Sequence, residues 1–282
     1  MNTRDQHNAV VVGVDGSAHS ELALDWAAQR AETEHRPLVM VHATGAPPTI
    51  GNSAQARHQM RIRGRRVTDA ALGHVRKQAP DLEVRVVIKM DDARLVLLEA
   101  ASTAALLVVG SRGHGAIGSV LLGSVSVAVA ERARCPVVVV RHAEDPDAKR
   151  VVVGVDGSPA SMAAVESAFA EASRARRPLT VVHADPLEVW SEQRMPRPPE
   201  PVSEARLLVA EVIAGYQDKY PDVTVAVTVV SGDASPVLVQ ESARAALVVV
   251  GSRGRGTASA LLLGSTSRYV IEHAHCTVAV AR

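Results

Sequence analysis

At 282 residues, 47% of them hydrophobic, the chain has enough length and apolar content for about two domains with separate cores. A net charge of +1 excludes general affinity for polyanions, and 2% aromatic residues excludes a base-stacking nucleic-acid platform. Two cysteines make no disulfide framework, and no apolar run approaches membrane-spanning length.

The opening residues, MNTRDQHNAVVV, carry no apolar leader after a basic start, so a cytoplasmic location is expected. Ala9 to Val14 is an apolar, β-branched run and predicts the first strand, closed by the turn Asp15-Gly16-Ser17. A helix is predicted from Ala18 to Thr33, with Leu22, Leu24, Trp26 and Ala27 on its apolar side. Pro37 to Ala43 reads as strand two, followed by a Pro-containing loop to Asn52. A basic helix over Ser53 to Gln78 carries Arg57, Arg61, Arg63, Arg65 and Arg66, read as a solvated face. Leu82 to Lys89 is strand three, Ala93 to Thr103 helix three and Ala105 to Val109 strand four. A glycine-rich turn leads into helix four, Val125 to Arg134, and Pro136 to Arg141 is strand five.

After the polar linker from His142 to Lys149 the order repeats. Strands are predicted at Arg150 to Val155, Leu179 to Ala184, Val223 to Val230, Ala246 to Val250 and Thr277 to Ala281. Helices are predicted at Pro159 to Arg174, Val202 to Lys219, Ser235 to Arg244 and Ser265 to His273, with a Pro-rich loop from Asp185 to Pro201. Asp15 recurs as Asp156, Pro37 as Pro178, His42 as His183 and Cys135 as Cys276, all at one offset. Residues 1–142 and 150–282 therefore read as two domains of one α/β class. Strand and helix alternate throughout, which predicts two doubly wound parallel sheets with helices on both faces.

The duplicated turn is GSRGHGAIGSVLLGS at Gly110 to Ser124 and GSRGRGTASALLLGS at Gly251 to Ser265. Copy one contains the dinucleotide signature Gly113-x-Gly115-x-x-Gly118, but copy two has Ser259 at the third position. No acidic residue follows to hold a ribose as that signature requires, and neither loop carries the Gly-Lys-Ser/Thr of a P-loop. Both copies keep Gly-x-x-Gly, nine residues, then Gly-Ser: Gly110, Gly113, Gly123, Ser124 and Gly251, Gly254, Gly264, Ser265. Glycines before a helix N-terminus offer backbone N–H groups and positive potential, a cradle for phosphate. Ligands bind such sheets at the carboxyl ends of strands, where strand order reverses. Asp15 and Asp156 end their first strands there, either as ligands for ribose or base or as helix N-caps. Ser124 and Ser265 are open between capping helix four and meeting phosphate, and Arg112 and Arg253 between phosphate and solvent. His114 becomes Arg255, and the His273-x-His275 pair has no counterpart in copy one, so neither reads as catalytic or as a metal site.

Gly13-Val14-Asp15-Gly16-Ser17, His42-Ala43 at the end of strand two, and the doubled glycine motif closely resemble the universal stress protein family. The resemblance covers nearly the whole chain, as a tandem two-domain member. It implies five-stranded parallel sheets in the order 3-2-1-4-5, and binding of ATP with Mg2+ where the glycine motif is kept. Carried over, Asp15 and Asp156 hold the adenosine part, and main chain near Ala43 and Ala184 meets adenine. The four motif residues of each copy wrap the phosphates, flanked by Val109 and Val125 in the first and Val250 and Thr266 in the second. It also implies dimerisation through strand five, as a homo-oligomer or between the two halves. No membrane or nucleic-acid partner is expected. With no catalytic base repeated in both halves, an ATP-binding regulatory protein of the stress response is expected; the alternatives are a slow ATPase or adenylating enzyme, or a structural module.

Overall fold

Valine supplies half of the strand residues. Its stiff, branched side chain suits a pleated surface buried on both faces, and the strands are near-continuous valine runs. The computed structural model describes residues 8–45, 54–113, 122–143, 145, 147–185, 201–254 and 263–282. The chain divides into two compact units, Met1–His142 and Ala143–Arg282.

The first unit runs β1 (Val10–Gly13), α1 (Ala18–Thr33), β2 (Leu38–Ala43), α2 (Ala54–Gln78), β3 (Val84–Lys89), α3 (Ala93–Ala101), β4 (Leu106–Gly110), α4 (Ser124–Arg132) and β5 (Val137–Val140). The second runs β6 (Arg150–Gly154), α5 (Pro159–Ala175), β7 (Leu179–Asp185), α6 (Pro201–Lys219), β8 (Val225–Ser231), α7 (Ala234–Ser242), β9 (Ala245–Gly251), α8 (Ser265–His273) and β10 (Thr277–Ala281). Within the first unit the strands lie β3-β2-β1-β4-β5, and within the second β8-β7-β6-β9-β10. All these neighbours are parallel: Val10 pairs with Leu38 on one side and Leu106 on the other, and Val152 pairs with Thr180 and Val248. Winding reverses between β1 and β4, and between β6 and β9, so each unit opens a crevice at those carboxyl ends.

Many sequence-based boundaries move by a residue or two, and three show how. Strand β4 runs one residue further than expected, because Gly110 still pairs with Val140. Strand β3 starts at Val84 rather than Leu82, whose amide turns back to the Ala79 carbonyl. Helix α4 starts at Ser124 with Gly123 as its N-cap. The buried stripe of α1 is Ala23, Leu24, Ala27, Ala28 and Ala31, so alanines let the helix sit close to the sheet. Leu22 and Trp26 are only half-buried, and Trp26 instead carries the Arg30 guanidinium over its ring at 4.8 Å. In the second unit the chain's single phenylalanine, Phe169, is fully buried and stacks on Tyr216 and Tyr220, with centroids 5.4 and 5.8 Å away. Among the described residues no helix is long and apolar enough to cross a membrane.

Candidate functional site

Each crevice begins with an aspartate locked in its turn. The Asp15 carboxylate accepts from the Ser17 amide at 2.9 Å and the Ser17 hydroxyl at 2.6 Å. Such a local turn suits Asp, whose short acceptor reaches the amide two residues on. Gly16 supplies the left-handed backbone, φ 84°, and Gly157 repeats it at φ 77°. The N-cap role weighed for Asp15 and Asp156 falls to Ser17 and Ser158 instead, which accept from the Ser20 and Ser161 amides. One oxygen of Asp15 is thus engaged by the turn, and the carboxylate lines the crevice.

The glycines sort into three kinds by what surrounds them. A Cβ on Gly110 would lie 2.5 Å from the His19 carbonyl oxygen, and one on Gly251 2.6 Å from that of Ala160. These two glycines let the first turn of α1 or α5 close onto the sheet. A Cβ on Gly113 would meet the Asp15 carboxylate, and one on Gly254 would lie 2.7 Å from the Asp156 Oδ2. This second pair makes room for the acid. Gly123 and Gly264 differ: among the described residues a Cβ there meets nothing nearer than 3.4 Å, and φ is −73° and −62°. Neither packing against the described residues nor backbone conformation requires glycine at those positions.

These last glycines stand at helix N-termini with no side-chain cap. Ser124 and Ser265 are the first helical residues and do not cap their helices. The first-turn N–H groups of α4 and α8 have no acceptor within their own helix, and the helix dipole adds positive potential there. The turn itself is fixed: the Gly123 amide donates to the Ser111 carbonyl at 2.8 Å, and the Ser126 hydroxyl to the Gly110 carbonyl at 2.7 Å. The second unit repeats both, Gly264 to Ser252 at 2.9 Å and Ser267 to Gly251 at 2.6 Å.

Asp15, Ala43, Val109, Gly110, Gly113, Gly123, Ser124 and Val125 line one cavity of about 700 Å3. Asp156, Ala184, Val250, Gly251, Gly254, Gly264, Ser265 and Thr266 line its counterpart, about 290 Å3. The first is within the range that holds a drug-sized ligand, about 300–1,000 Å3, and the second is at its lower edge. Each cavity has apolar and polar lining. In the first, Val41, Ala93 and Leu97 line it together with the start of α4 and Arg112. Arg112 reaches the cavity, and its Nε is buried with no acceptor among the described residues. Its counterpart Arg253 also lines its cavity but is exposed. His19 is held below the usual histidine range, first by burial and then by the Arg112 charge.

Several supporting residues escaped the sequence reading. His42 and His183 are buried, and their Nδ1 atoms bond the Val14 and Val155 carbonyls at 2.7 and 2.8 Å. Since a carbonyl only accepts, Nδ1 is the protonated nitrogen. Ser20 takes the Asp15 and Gly16 amides, at 3.3 and 3.1 Å. Ser126 and Ser267, and Leu97 and Leu238, recur at the repeat offset, and that recurrence was the available signal. The basic residues of α2 are exposed as expected. His273 stacks on Tyr269 at 4.1 Å, and among the described residues no His, Cys, Asp and Glu group has the arrangement of a metal site. His114, Gly115, Gly118, Arg255, Gly256, Ser259 and the loop 186–200 lie outside the described residues.

The model of the universal stress protein family matches this sequence twice, over residues 7–141 and 148–282. A universal stress protein of Mycobacterium tuberculosis is 39% identical over 299 residues, covering 99% of this chain and 98% of that one. A relative from Mycolicibacterium smegmatis is 37% identical, covering 97% and 96%. Among solved structures, a universal stress protein from Archaeoglobus fulgidus superposes with TM-score 0.73 at 22% identity, covering 100% of this chain and 98% of its own. A shorter universal stress protein, crystallised in complex with cAMP, is 31% identical and covers 48% of this chain and 98% of its own, with TM-score 0.37.

Proposed function

This chain belongs to the universal stress protein family, and from that premise we propose that each unit binds one ATP, whose occupancy is a regulatory signal in the stress response. The observation that carries the proposal is the pair Gly123 and Gly264. The described residues leave room for a side chain at both, yet both are glycine, each before an uncapped helix that lines a cavity. A phosphate lying on the backbone accounts for that combination, since any side chain would intrude on it.

The remaining contacts follow from position. The phosphates lie along Gly110, Gly113, Gly123 and Ser124, and along Gly251, Gly254, Gly264 and Ser265, taking N–H groups from the start of α4 or α8. Asp15 and Asp156 face a carboxylate away from phosphate and accept ribose hydroxyls. Adenine lies against Ala43 or Ala184 main chain, and Val109 and Val125 in one unit and Val250 and Thr266 in the other flank the phosphates. Mg2+ enters with the triphosphate, which supplies the oxygen ligands this hard cation prefers. Cytoplasmic residence, where ATP is abundant, and self-association through a fifth strand belong to the same proposal.

Isothermal titration of the full chain tests it. The expected result is saturation at two ATP per chain, with cAMP weaker because it lacks the extended phosphate chain. Saturation by cAMP with no response to ATP, or no nucleotide heat at all, overturns it.

A further inference from the structure

The two cavities are lined by the same residues with one exception. Among the described residues, every residue lining the second cavity has a counterpart at the repeat offset lining the first, and each pair is one residue type except Val125 and Thr266. Leu122 lines the first cavity alone, and its counterpart, Leu263, is the same residue type. Val125 and Thr266 follow Ser124 and Ser265, the first residues of α4 and α8. Both therefore stand in a first helical turn, where the backbone N–H groups have no acceptor within the helix. Both are half-buried. Valine and threonine share one branched shape, so the difference between the two linings comes down to a methyl against a hydroxyl.

A threonine deeper in a helix turns its hydroxyl back onto a carbonyl three or four residues earlier. Thr68 of α2 does so, donating to the Gly64 and Arg65 carbonyls at 3.2 and 3.1 Å. The residues that far before Thr266 precede α8, so its own helix offers the hydroxyl no carbonyl. A hydroxyl at the wall of a cavity, released from its helix, is a donor for whatever the cavity holds.

Resting on the nucleotide reading above, we propose that Thr266 sets an order between the two sites: its hydroxyl donates to a phosphate oxygen of ATP in the second unit, a bond that Val125 cannot make in the first. A hydrogen bond to an ionised oxygen is stronger than one between neutral groups. At the same place in the first unit, a valine methyl takes water from the anion and returns no hydrogen bond. The second unit then fills at a lower ATP concentration than the first, and the chain answers ATP over two concentration ranges, one for each unit.

Titration calorimetry of the full chain with ATP tests this. Wild type should show two affinities about tenfold apart. Thr266→Val should weaken the tighter site about tenfold and bring the two together. Val125→Thr should strengthen the weaker site by a similar factor. Thr266→Ser, which keeps the hydroxyl, should retain the wild-type pattern. Adenosine, which has no phosphate, should bind wild type and Thr266→Val equally. Each comparison is made between proteins of equal melting temperature without nucleotide. Two equal affinities in wild type overturn the proposal. Unequal affinities that neither Thr266→Val nor Val125→Thr alters also overturn it, and assign the inequality to cavity volume, about 700 against 290 Å3. An equal loss for adenosine and ATP in Thr266→Val overturns it by placing the hydroxyl on the nucleoside. In all three cases the nucleotide reading stands. No heat with ATP in any of these proteins overturns both.

Discussion

Serine in place of Gly123 separates a ligand's need for glycine from the fold's. Gly123 is the N-cap of α4 with φ −73° and ψ 145°, the extended conformation that N-cap serines adopt. A Cβ there finds its nearest neighbours at 3.4 Å or more, an ordinary contact. Serine is the better cap by a few tenths of a kcal/mol, because its oxygen accepts an N–H of the first turn. Gly123→Ser should therefore leave stability unchanged or slightly raised. The capped N–H groups are those assigned to phosphate, and a hydrogen bond to a charged acceptor is worth about 1.5–3 kcal/mol. Affinity at that site should fall about ten- to a hundredfold. Urea unfolding without nucleotide measures the first quantity, and calorimetric titration with ATP the second. Unchanged ATP affinity in a stable Gly123→Ser protein would refute the cradle. A clear loss of stability would show that the glycine is held by packing after all.

Other substitutions divide along the same lines. Gly110→Ala and Gly251→Ala drive a Cβ into the backbone of α1 or α5 and should each cost about 1–3 kcal/mol, read from urea midpoints; unchanged midpoints would contradict the close packing. Asp15→Asn keeps an acceptor for the Ser17 amide and should stay stable, yet bind ATP more weakly, whereas Asp15→Ala should lose both turn and affinity. Equal affinity for all three proteins would remove Asp15 from the site. His42→Ala leaves the buried Val14 carbonyl without this partner and should lower stability by about 1–3 kcal/mol, detectable in the same unfolding assay. Steady-state ATP hydrolysis should stay far below the roughly 10 per second typical of enzymes, and ordinary turnover would favour the enzymatic alternative.

The repeat made most of the architecture legible. Valine runs give strands almost regardless of context, and the bounds of α1 and of β10 coincide with the expected ones. The residues proposed for the site line the two cavities together, because a strand-to-helix turn leaves few places for them. What each residue does there was less legible. The same letter, glycine, stands at Gly110 for packing, at Gly113 for room beside a carboxylate and at Gly123 for neither. Those differences are set by neighbours distant in sequence, such as His19 against Gly110. The capping role, one of the two readings of Asp15 in sequence, went to Ser17 because its oxygen is the one that reaches the Ser20 amide.

The claim that two duplicated glycine turns each cradle one ATP is tested most directly by counting nucleotides. Native mass spectrometry of the full chain, with ATP only a few times above the wild-type dissociation constant, should show two bound in wild type, chiefly one in Gly123→Ser, chiefly one in Gly264→Ser and almost none in the double variant. Two ATP on the folded double variant would mean that the nucleotide lies elsewhere.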